Sequence, residues 1–229
     1  MRRICRLTIG LEFMPGQRFC WNLNVTDPAP PTPAVMNPDE LLYPALFHDG
    51  EAYFLERSDV RTASYFGGPF EGSTNGIEHG PRPLHHIATL NGDCFEPLSH
   101  VVGGGSLRLL YGMCYSGCRL KYRNSANAVD LLEIKPTASA SDWPYPAYPS
   151  YLPYFSLRLQ RRSKCNVQQF LEASCQSLEV ISSEVLVLVP ASPLLGMSLW
   201  GPSGDAEGTQ IVFRCDLAKR TVEAYNQCN

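Results

Sequence analysis

The chain has 229 residues, of which 44% are hydrophobic, and its formal net charge at pH 7 is −3. This composition provides enough apolar surface for a sizeable core, so a largely disordered chain is excluded. Lysine and arginine are not in excess, which argues against nucleic acid as a partner because phosphate contacts need clustered cations. The longest apolar run, residues 185–189, is far too short to cross a bilayer.

The cysteine usage and the N-terminal sequence indicate the compartment. There are nine cysteines, an odd number, and no Cys-x-x-Cys pair is repeated. Arg6 and Glu12 interrupt what would be the apolar part of a secretory signal, and no small-residue cleavage site follows. We therefore expect a cytoplasmic protein without membrane contact, in which the cysteines are reduced and act as small buried hydrophobes.

The first part of the chain is predicted to form short strands, one proline-rich connection and one helix. Apolar and polar residues alternate over residues 5–13, which predicts a half-buried strand, and a second short strand is predicted over residues 19–25. Five prolines within residues 27–38 favour an extended surface connection. A short helix is predicted from Asn37, as its N-cap, through Leu46.

The middle of the chain is predicted to form two strands that are separated by turns and a loop. Strands are predicted over residues 51–55 and 84–90, and the polar, glycine-rich residues 71–82 between them are predicted to form a loop. Three consecutive glycines within residues 101–106 indicate a flexible joint. This joint is where two halves of the chain would meet, if residues 1–229 do not form a single domain.

The remainder of the chain adds more strands and one more short helix. A helix is predicted over residues 166–171, because Asn166 can cap it and Gln169 completes a capping box. Strands are predicted over residues 107–111, 119–123, 155–159, 185–189 and 211–215. The elements together predict an α+β fold that is β-rich, with mixed or antiparallel sheets and a few short helices.

A glycine pair between the early strands predicts a sharp turn. Gly67 and Gly68 can adopt positive φ, which the preceding Tyr65 and Phe66 cannot do cheaply. Pro69 fixes its own φ and moves Gly68 out of the helical region. We interpret this turn as a buried connection between strands, with the rim of a groove as the alternative.

Residues 143–155 combine four prolines with six aromatic side chains. One interpretation is a loop that covers the core with its rings folded inward. The other is a recognition surface, because tyrosine and tryptophan give a large contact area at low entropy cost and prolines hold the backbone extended. On the second interpretation, the partner-binding residues are Asp142, Trp143, Tyr145, Tyr148 and Tyr151.

No set of catalytic or metal-ligating residues stands out in the sequence. Cys114 and Cys118 form one Cys-x-x-x-Cys pair, which could join a histidine such as His85 or His86 in a zinc site, but no second pair has metal-like spacing. Nothing in the local sequence would lower the thiol pKa of a nucleophilic cysteine. We therefore expect no catalytic residue, no metal and no cofactor.

The ordered motifs resemble those of the YwqG-like family of bacterial cytoplasmic proteins. The resemblance covers roughly residues 60–229, and Pro69 and Pro202 are departures from the family pattern. The matching residues are Ser64, Phe66, Gly67, Gly68, Pro83, Leu84, Ile87, Leu107, Leu109, Leu110, Tyr111, Trp200, Gly201, Asp216, Leu217, Gln227 and Cys228. The resemblance implies a β-rich fold, in which Phe66, Gly67, Gly68, Trp200 and Gly201 are structural motif residues.

The resemblance also implies a function, because members of such families recur beside polymorphic or type VI secreted toxins. The expected function is therefore that of an immunity protein, which neutralises a cognate toxin such as a nuclease by protein–protein interaction. The alternative is a YwqG-like protein that binds a small ligand or is an enzyme of unknown activity.

Overall fold

A computed structural model describes residues 42–78, 84–92, 99, 105–114, 116–125, 127–138, 149–164, 167–168, 170, 184–193, 195, 197–200 and 209–227. All of its strands lie within residues 35–229, which form one compact unit. The strands predicted over 5–13 and 19–25 and the proline-rich connection over 27–38 lie outside the described residues, as does most of the predicted joint near 101–106.

The described residues form a single β-sheet of twelve strands. The strands are β1 (Ala45–His48), β2 (Glu51–Ser58), β3 (Tyr65–Phe66), β4 (Ser73–Gly76), β5 (His85–Asn91), β6 (Ser106–Tyr111), β7 (Ser116–Asn124), β8 (Ala128–Ala138), β9 (Phe155–Lys164), β10 (Glu184–Val189), β11 (Gln210–Asp216) and β12 (Thr221–Gln227). Their order across the sheet is β4-β8-β7-β12-β11-β10-β1-β2-β9-β3-β5-β6. Neighbours are antiparallel except β4 and β8, which are parallel, so the predicted β-rich, mixed sheet is confirmed.

Both faces of the sheet are buried near its centre, and β10 shows why. Val185, Val187 and Val189 pack into the main core, whereas Leu186 and Leu188 pack into a smaller cluster on the opposite face. Because successive side chains of a strand point to opposite faces, an unbroken apolar run fits a strand that is covered on both sides. The prediction of a fully buried strand over residues 185–189 is therefore confirmed.

A short helical segment covers the smaller cluster. Residues 167, 168 and 170 are helical, as predicted for the segment that begins at Asn166. The Phe170 ring lies 4.8 Å from the Phe47 ring and 6.3 Å from the Phe54 ring, measured between centroids. These aromatic contacts hold the segment against β1 and β2. Within the described residues, no helix is long and apolar enough to span a membrane.

Side chains of β7 cap the outer edge of β6, the last strand of the sheet. The Asn124 carboxamide accepts the Arg108 N–H at 3.1 Å and donates to the Arg108 carbonyl at 3.2 Å. The Tyr122 hydroxyl accepts the Leu110 N–H at 2.9 Å. These bonds stand in for a neighbouring strand and satisfy backbone groups that would otherwise be left at an open edge. These bonds place β6 beside β7, although the two strands are not neighbours in the sheet order.

Two predictions about the first half of the chain are wrong. Leu46 does not continue a helix, because β1 pairs with both β2 and β10 and buries this side chain completely, so strand pairing overrides the local helix signal. The polar segment over 71–82 is not only a loop, because β4 adds to the sheet beside β8 although all four of its residues are exposed. The strands β8 and β12, which pair with β7 on either side, were not predicted from the sequence.

Candidate functional site

The glycine turn between β3 and residue 69 has the predicted backbone conformation and a close neighbour. Gly67 and Gly68 have φ of +66° and +75°. A Cβ on Gly67 would overlap the carbonyl oxygen of Pro153 and lie 2.9 Å from the carbonyl carbon. The Gly67 N–H donates to the Ile87 carbonyl at 2.9 Å, and the Gly68 N–H donates to the Leu152 carbonyl at 2.8 Å. The turn therefore fixes the backbone of residues 152–153 against β5.

His86 is hydrogen-bonded to the glycine turn and is not placed to act as a base. Its Nδ1 lies 2.7 Å from the Gly67 carbonyl oxygen, and its Nε2 lies 2.7 Å from the Thr89 hydroxyl. Burial lowers the pKa of His86 to about 4, so the ring is neutral near pH 7. Since a carbonyl can only accept, Nδ1 carries the proton and Nε2 accepts from Thr89. Both ring nitrogens are thus occupied within the fold.

His85 makes a similar hydrogen bond to the segment over residues 149–154. It is completely buried, and its Nε2 lies 2.7 Å from the Pro149 carbonyl oxygen. Burial lowers the pKa of His85, so this ring is also neutral and donates to that carbonyl through Nε2–H. The two histidines considered for a zinc site or a catalytic pair therefore anchor the turn and the 149–154 segment.

A series of rings leads from His86 to the surface. The His86 and Tyr65 centroids are 5.1 Å apart, and the Tyr65 and Tyr154 centroids are 5.3 Å apart. Tyr154 is 48% exposed. A Cβ on Gly68 would lie 3.2 Å from the Cδ2 atom of Tyr154, so the absence of a side chain at Gly68 leaves room for this ring. The glycine motif thus positions an exposed tyrosine on a rigid base.

Tyr154 borders a cleft of about 470 Å³ that also contains two arginines. Its lining residues are Arg57, Ser58, Asp59, Arg61, Tyr154, Phe155 and Ser156. The Arg57 guanidinium lies 4.6 Å from the centroid of the Phe155 ring, a cation–π arrangement. Within the described part of the chain, neither Arg57 nor Arg61 forms an ion pair, and both are exposed. We call the group of Arg57, Arg61, Tyr65 and Tyr154 the tyrosine–arginine surface.

The floor of the cleft is held by hydrogen bonds between chain segments. The Ser156 hydroxyl lies 3.4 Å from the Tyr154 hydroxyl and accepts the Thr62 N–H at 3.4 Å. The Thr62 hydroxyl lies 2.6 Å from the Ser64 carbonyl oxygen and 2.7 Å from that of Leu157. The buried Ser64 hydroxyl in turn accepts the Asn91 N–H at 2.9 Å. These contacts fix the loop between β2 and β3 against β9.

Only part of the predicted partner-binding set can be placed. Tyr151 is 57% exposed and lies three residues before Tyr154. The other four members, Asp142, Trp143, Tyr145 and Tyr148, lie outside the described residues. Arg57 and Arg61 were not predicted from the sequence, because they stand in an ordinary strand and loop and only the pairing of β2 with β9 brings them to Tyr154.

The structural motif near the C-terminus is partly described. Trp200 is buried, and its Nε1–H donates to the Thr209 carbonyl at 2.8 Å. Its ring meets the Tyr111 ring edge to face, with the centroids 6.5 Å apart. Trp200 therefore belongs to the core, and Gly201 lies outside the described residues.

The described cysteines are buried or half-buried thiols and carry no sign of activation. Cys114, Cys118 and Cys215 are not in disulfides. Burial raises the pKa of Cys118 to about 12 and also raises that of Cys215, so both thiols stay protonated. Among the residues that the structure describes, no group of three or more histidine, cysteine, aspartate or glutamate side chains is placed to hold a metal ion.

Comparisons with known proteins do not assign the chain. No family model matches it, and no match was found among the curated proteins or the solved structures. The resemblance to the YwqG-like family is therefore carried only by the motifs themselves. The features from which a function can be inferred are the tyrosine–arginine surface and the exposed Tyr151, three residues before Tyr154.

Proposed function

We propose that the chain is an immunity-type binding protein, which uses the tyrosine–arginine surface to neutralise a cognate bacterial toxin by protein–protein contact. The observation that supports this best is the combination of exposed Tyr154 with Arg57 and Arg61 on a base held by the glycine turn. Tyrosine and arginine are the side chains that most often dominate the binding energy of protein interfaces.

The rigidity of the surface strengthens the proposal. The Tyr65 ring lies between the rings of Tyr154 and the buried His86 and is tilted against both, and the Gly68 N–H is bonded to the Leu152 carbonyl. A surface that is ordered before binding loses less conformational entropy in a complex. Both arginines are exposed and able to meet a carboxylate of a partner in the bidentate geometry that guanidinium favours.

The remaining features of the proposal follow from the sequence. The protein acts in the cytoplasm, as one domain with a few short helices, and it is not an enzyme. It uses no cofactor or metal and binds neither nucleic acid nor membrane. The resemblance to the YwqG-like family supports a type VI or polymorphic toxin, for example a nuclease, as its partner.

A second candidate function is suggested by the size of the cleft. A volume of about 470 Å³ lies within the range of small-molecule sites. A carboxylate ligand could pair with Arg57 or Arg61 and stack on Tyr154, in keeping with a YwqG-like small-ligand binder or enzyme. The open, polar character of the cleft favours the protein partner, because small-molecule sites are usually enclosed and mostly apolar.

The test uses a secreted toxin candidate, to be sought among the genes that neighbour this one. We expect Tyr154→Ala and Tyr151→Ala each to weaken its binding by roughly 2 kcal/mol, about thirtyfold in Kd, if both rings are anchors. Titration calorimetry gives the affinity, and survival of cells that co-express both proteins gives the protection. The matched control is Leu132→Ala on β8, an apolar side chain that is 38% exposed and lies far from the cleft in the sheet order.

Thermal unfolding separates loss of binding from loss of folding. Tyr151 is more than half exposed, so its truncation should leave the melting temperature nearly unchanged. If both tyrosine variants bind with wild-type affinity, the interface does not lie on this surface. Equal weakening in Leu132→Ala would show that the effect is not specific to it.

A further inference from the structure

The sequence contains the dipeptide Asn-Gly twice, and the fold places the two copies in different surroundings. They are Asn75 with Gly76 in β4, and Asn91 with Gly92 at the end of β5. Asparagine is a chemically labile residue, and it is most prone to spontaneous deamidation before glycine, which has no Cβ to hinder its backbone nitrogen. Because the dipeptide is the same, a difference in reactivity between the two copies must come from the structure around them.

Deamidation at Asn75 joins neighbouring groups of the chain and needs only water. The Gly76 nitrogen attacks the side-chain Cγ of Asn75 and forms a new C–N bond. The side-chain nitrogen leaves as ammonia, together with the proton of the Gly76 N–H, and a cyclic succinimide remains. Water then opens the succinimide at either of its carbonyls and leaves aspartate or isoaspartate at position 75. A neutral amide thus becomes a carboxylate, with no oxidation or reduction.

The backbone nitrogen of Gly76 is accessible for this attack. The N–H groups of Ser73 and Ile77 both donate, at 3.2 Å, to carbonyls in or next to β8. Because bonds to one neighbouring strand alternate along the chain, the backbone of Asn75 also faces β8, whereas the Gly76 N–H faces away from it. In the part of the chain that the structure describes, this N–H has no hydrogen-bond partner, and Gly76 is exposed.

The side chain of Asn75 is weakly held, and the glycine beside it is required by the fold. Within the described chain, the Asn75 Nδ2 makes one long hydrogen bond of 3.4 Å, to the Asp130 carboxylate, and the residue is exposed. Gly76 has a φ of +92°, and a Cβ at this position would overlap the Leu131 carbonyl oxygen. The labile dipeptide is therefore kept by the backbone geometry of β4.

The second copy of the dipeptide is protected by its surroundings. Gly92 is buried, and its N–H donates to the Gly105 carbonyl at 3.3 Å. The Asn91 side chain is half-buried, and its Nδ2 donates to the Ser106 hydroxyl at 3.4 Å. Attack by the Gly92 nitrogen requires these bonds to break, which adds to the activation free energy. We expect conversion at Asn91 to be slower than at Asn75 by roughly tenfold or more.

We infer that Asn75 is a site of spontaneous deamidation, that Asn91 is protected from it, and that the product loosens β4 from β8. Aspartate at position 75 places a second carboxylate opposite Asp130, and like charges opposite each other in a strand pair are unfavourable. Isoaspartate adds a backbone carbon, so the Ile77 N–H no longer meets the Leu131 carbonyl in register. The inference goes beyond the proposed function, because no residue of β4 belongs to the tyrosine–arginine surface.

The experiment ages the folded full chain at mildly alkaline pH, well below its melting temperature. Peptide mapping by mass spectrometry gives the conversion at each asparagine, and electron-transfer fragmentation distinguishes isoaspartate from aspartate. We expect Asn75 to convert roughly tenfold or more faster than Asn91. The same incubation in urea removes the fold, and there we expect the two asparagines to convert at similar rates. Asn75→Gln is the control, because the longer side chain closes its ring far more slowly.

Hydrogen exchange tests the consequence for the sheet. Asn75→Asp carries the charge of the product, whereas Asn75→Gln keeps a neutral amide at the same place. We expect the Ile77 amide to exchange roughly two- to fivefold faster in Asn75→Asp than in Asn75→Gln, the factor for one like-charge pair across two strands. The aged wild-type chain should show the same increase, in proportion to its conversion at Asn75.

Three results would overturn the inference. The first is equal or faster conversion at Asn91 while the chain remains folded, which would mean that the surroundings do not select Asn75. The second is a folded chain in which both asparagines stay intact while the urea sample converts, because β4 would then protect Asn75. The third is an Ile77 amide whose exchange is unchanged in both the aged chain and Asn75→Asp. None of these results depends on a toxin, so failure here is distinguishable from failure of the proposed function.

Discussion

The close approach of the 152–153 backbone to Gly67 predicts a large loss of stability on substitution by alanine. At φ of +66°, an L-residue costs of order 1–2 kcal/mol. In addition, the new Cβ would overlap the Pro153 carbonyl oxygen and lie 3.0 Å from that of Leu152, and backbone cannot yield as a side chain can. Together these terms give roughly 3–5 kcal/mol of destabilisation for Gly67→Ala, the range of the most damaging single substitutions.

The variant Gly50→Ala separates the conformational cost of a positive φ from the steric cost of the close neighbour. Gly50 has a similar φ of +73°, but nothing lies within 4 Å of its Cβ position, so only the conformational cost of about 1–2 kcal/mol remains. Urea denaturation of both variants, followed by tryptophan fluorescence, gives the two free energies of unfolding. If Gly67→Ala costs no more than Gly50→Ala, the turn is not held tightly against residues 152–153, and Tyr154 does not stand on a rigid base.

Two further predictions concern pH and the edge of β6. Burial lowers the pKa of His86 from 6.5 to about 4, so the unfolded chain binds the proton more readily, and the free energy of unfolding is highest above pH 6.5 and falls by up to about 3 kcal/mol as the pH drops to 4. His86→Gln should flatten this pH dependence of the free energy of unfolding. Parallel curves for the two proteins would contradict the assignment. Asn124→Ala removes both side-chain hydrogen bonds to the Arg108 backbone and should lower the free energy of unfolding, measured in urea, by roughly 1–3 kcal/mol. The control Asn75→Ala removes one long hydrogen bond to Asp130 and should lower it by less than about 0.5 kcal/mol. Equal losses would show that Asn124 does not stabilise the edge of β6.

The sequence predicted most strands whose apolar residues follow a clear pattern. It missed β8, because Leu132 is an extra residue at a register shift against β7 and interrupts the alternation of the apolar side chains. The alternation around Leu120 and Tyr122 and the apolar run from Val185 both identified strands. In contrast, β12 has only Val222 and Ala224 as buried apolar residues, and β4 has none. Strands of this kind are specified by the neighbours with which they pair, so a local pattern does not reveal them.

The candidate site was harder to predict, because it is assembled by strand pairing. Arg57 and Tyr154 are almost a hundred residues apart and meet only through the register of β2 with β9. The conformation of Gly67 and Gly68 was predictable, since it follows from glycine itself. The partners of the turn, the Pro153 carbonyl and the His86 ring, were not, since they come from distant segments.

The most direct test of the central claim is a map of the interface itself. Backbone amide hydrogen exchange is measured for the protein alone and in complex with a toxin candidate found among the neighbouring genes. We predict added protection at residues 57–61 and 151–156, on either side of the cleft, and none on β8. A stable complex that protects other segments and leaves these two unchanged would contradict the claim that the tyrosine–arginine surface binds the partner.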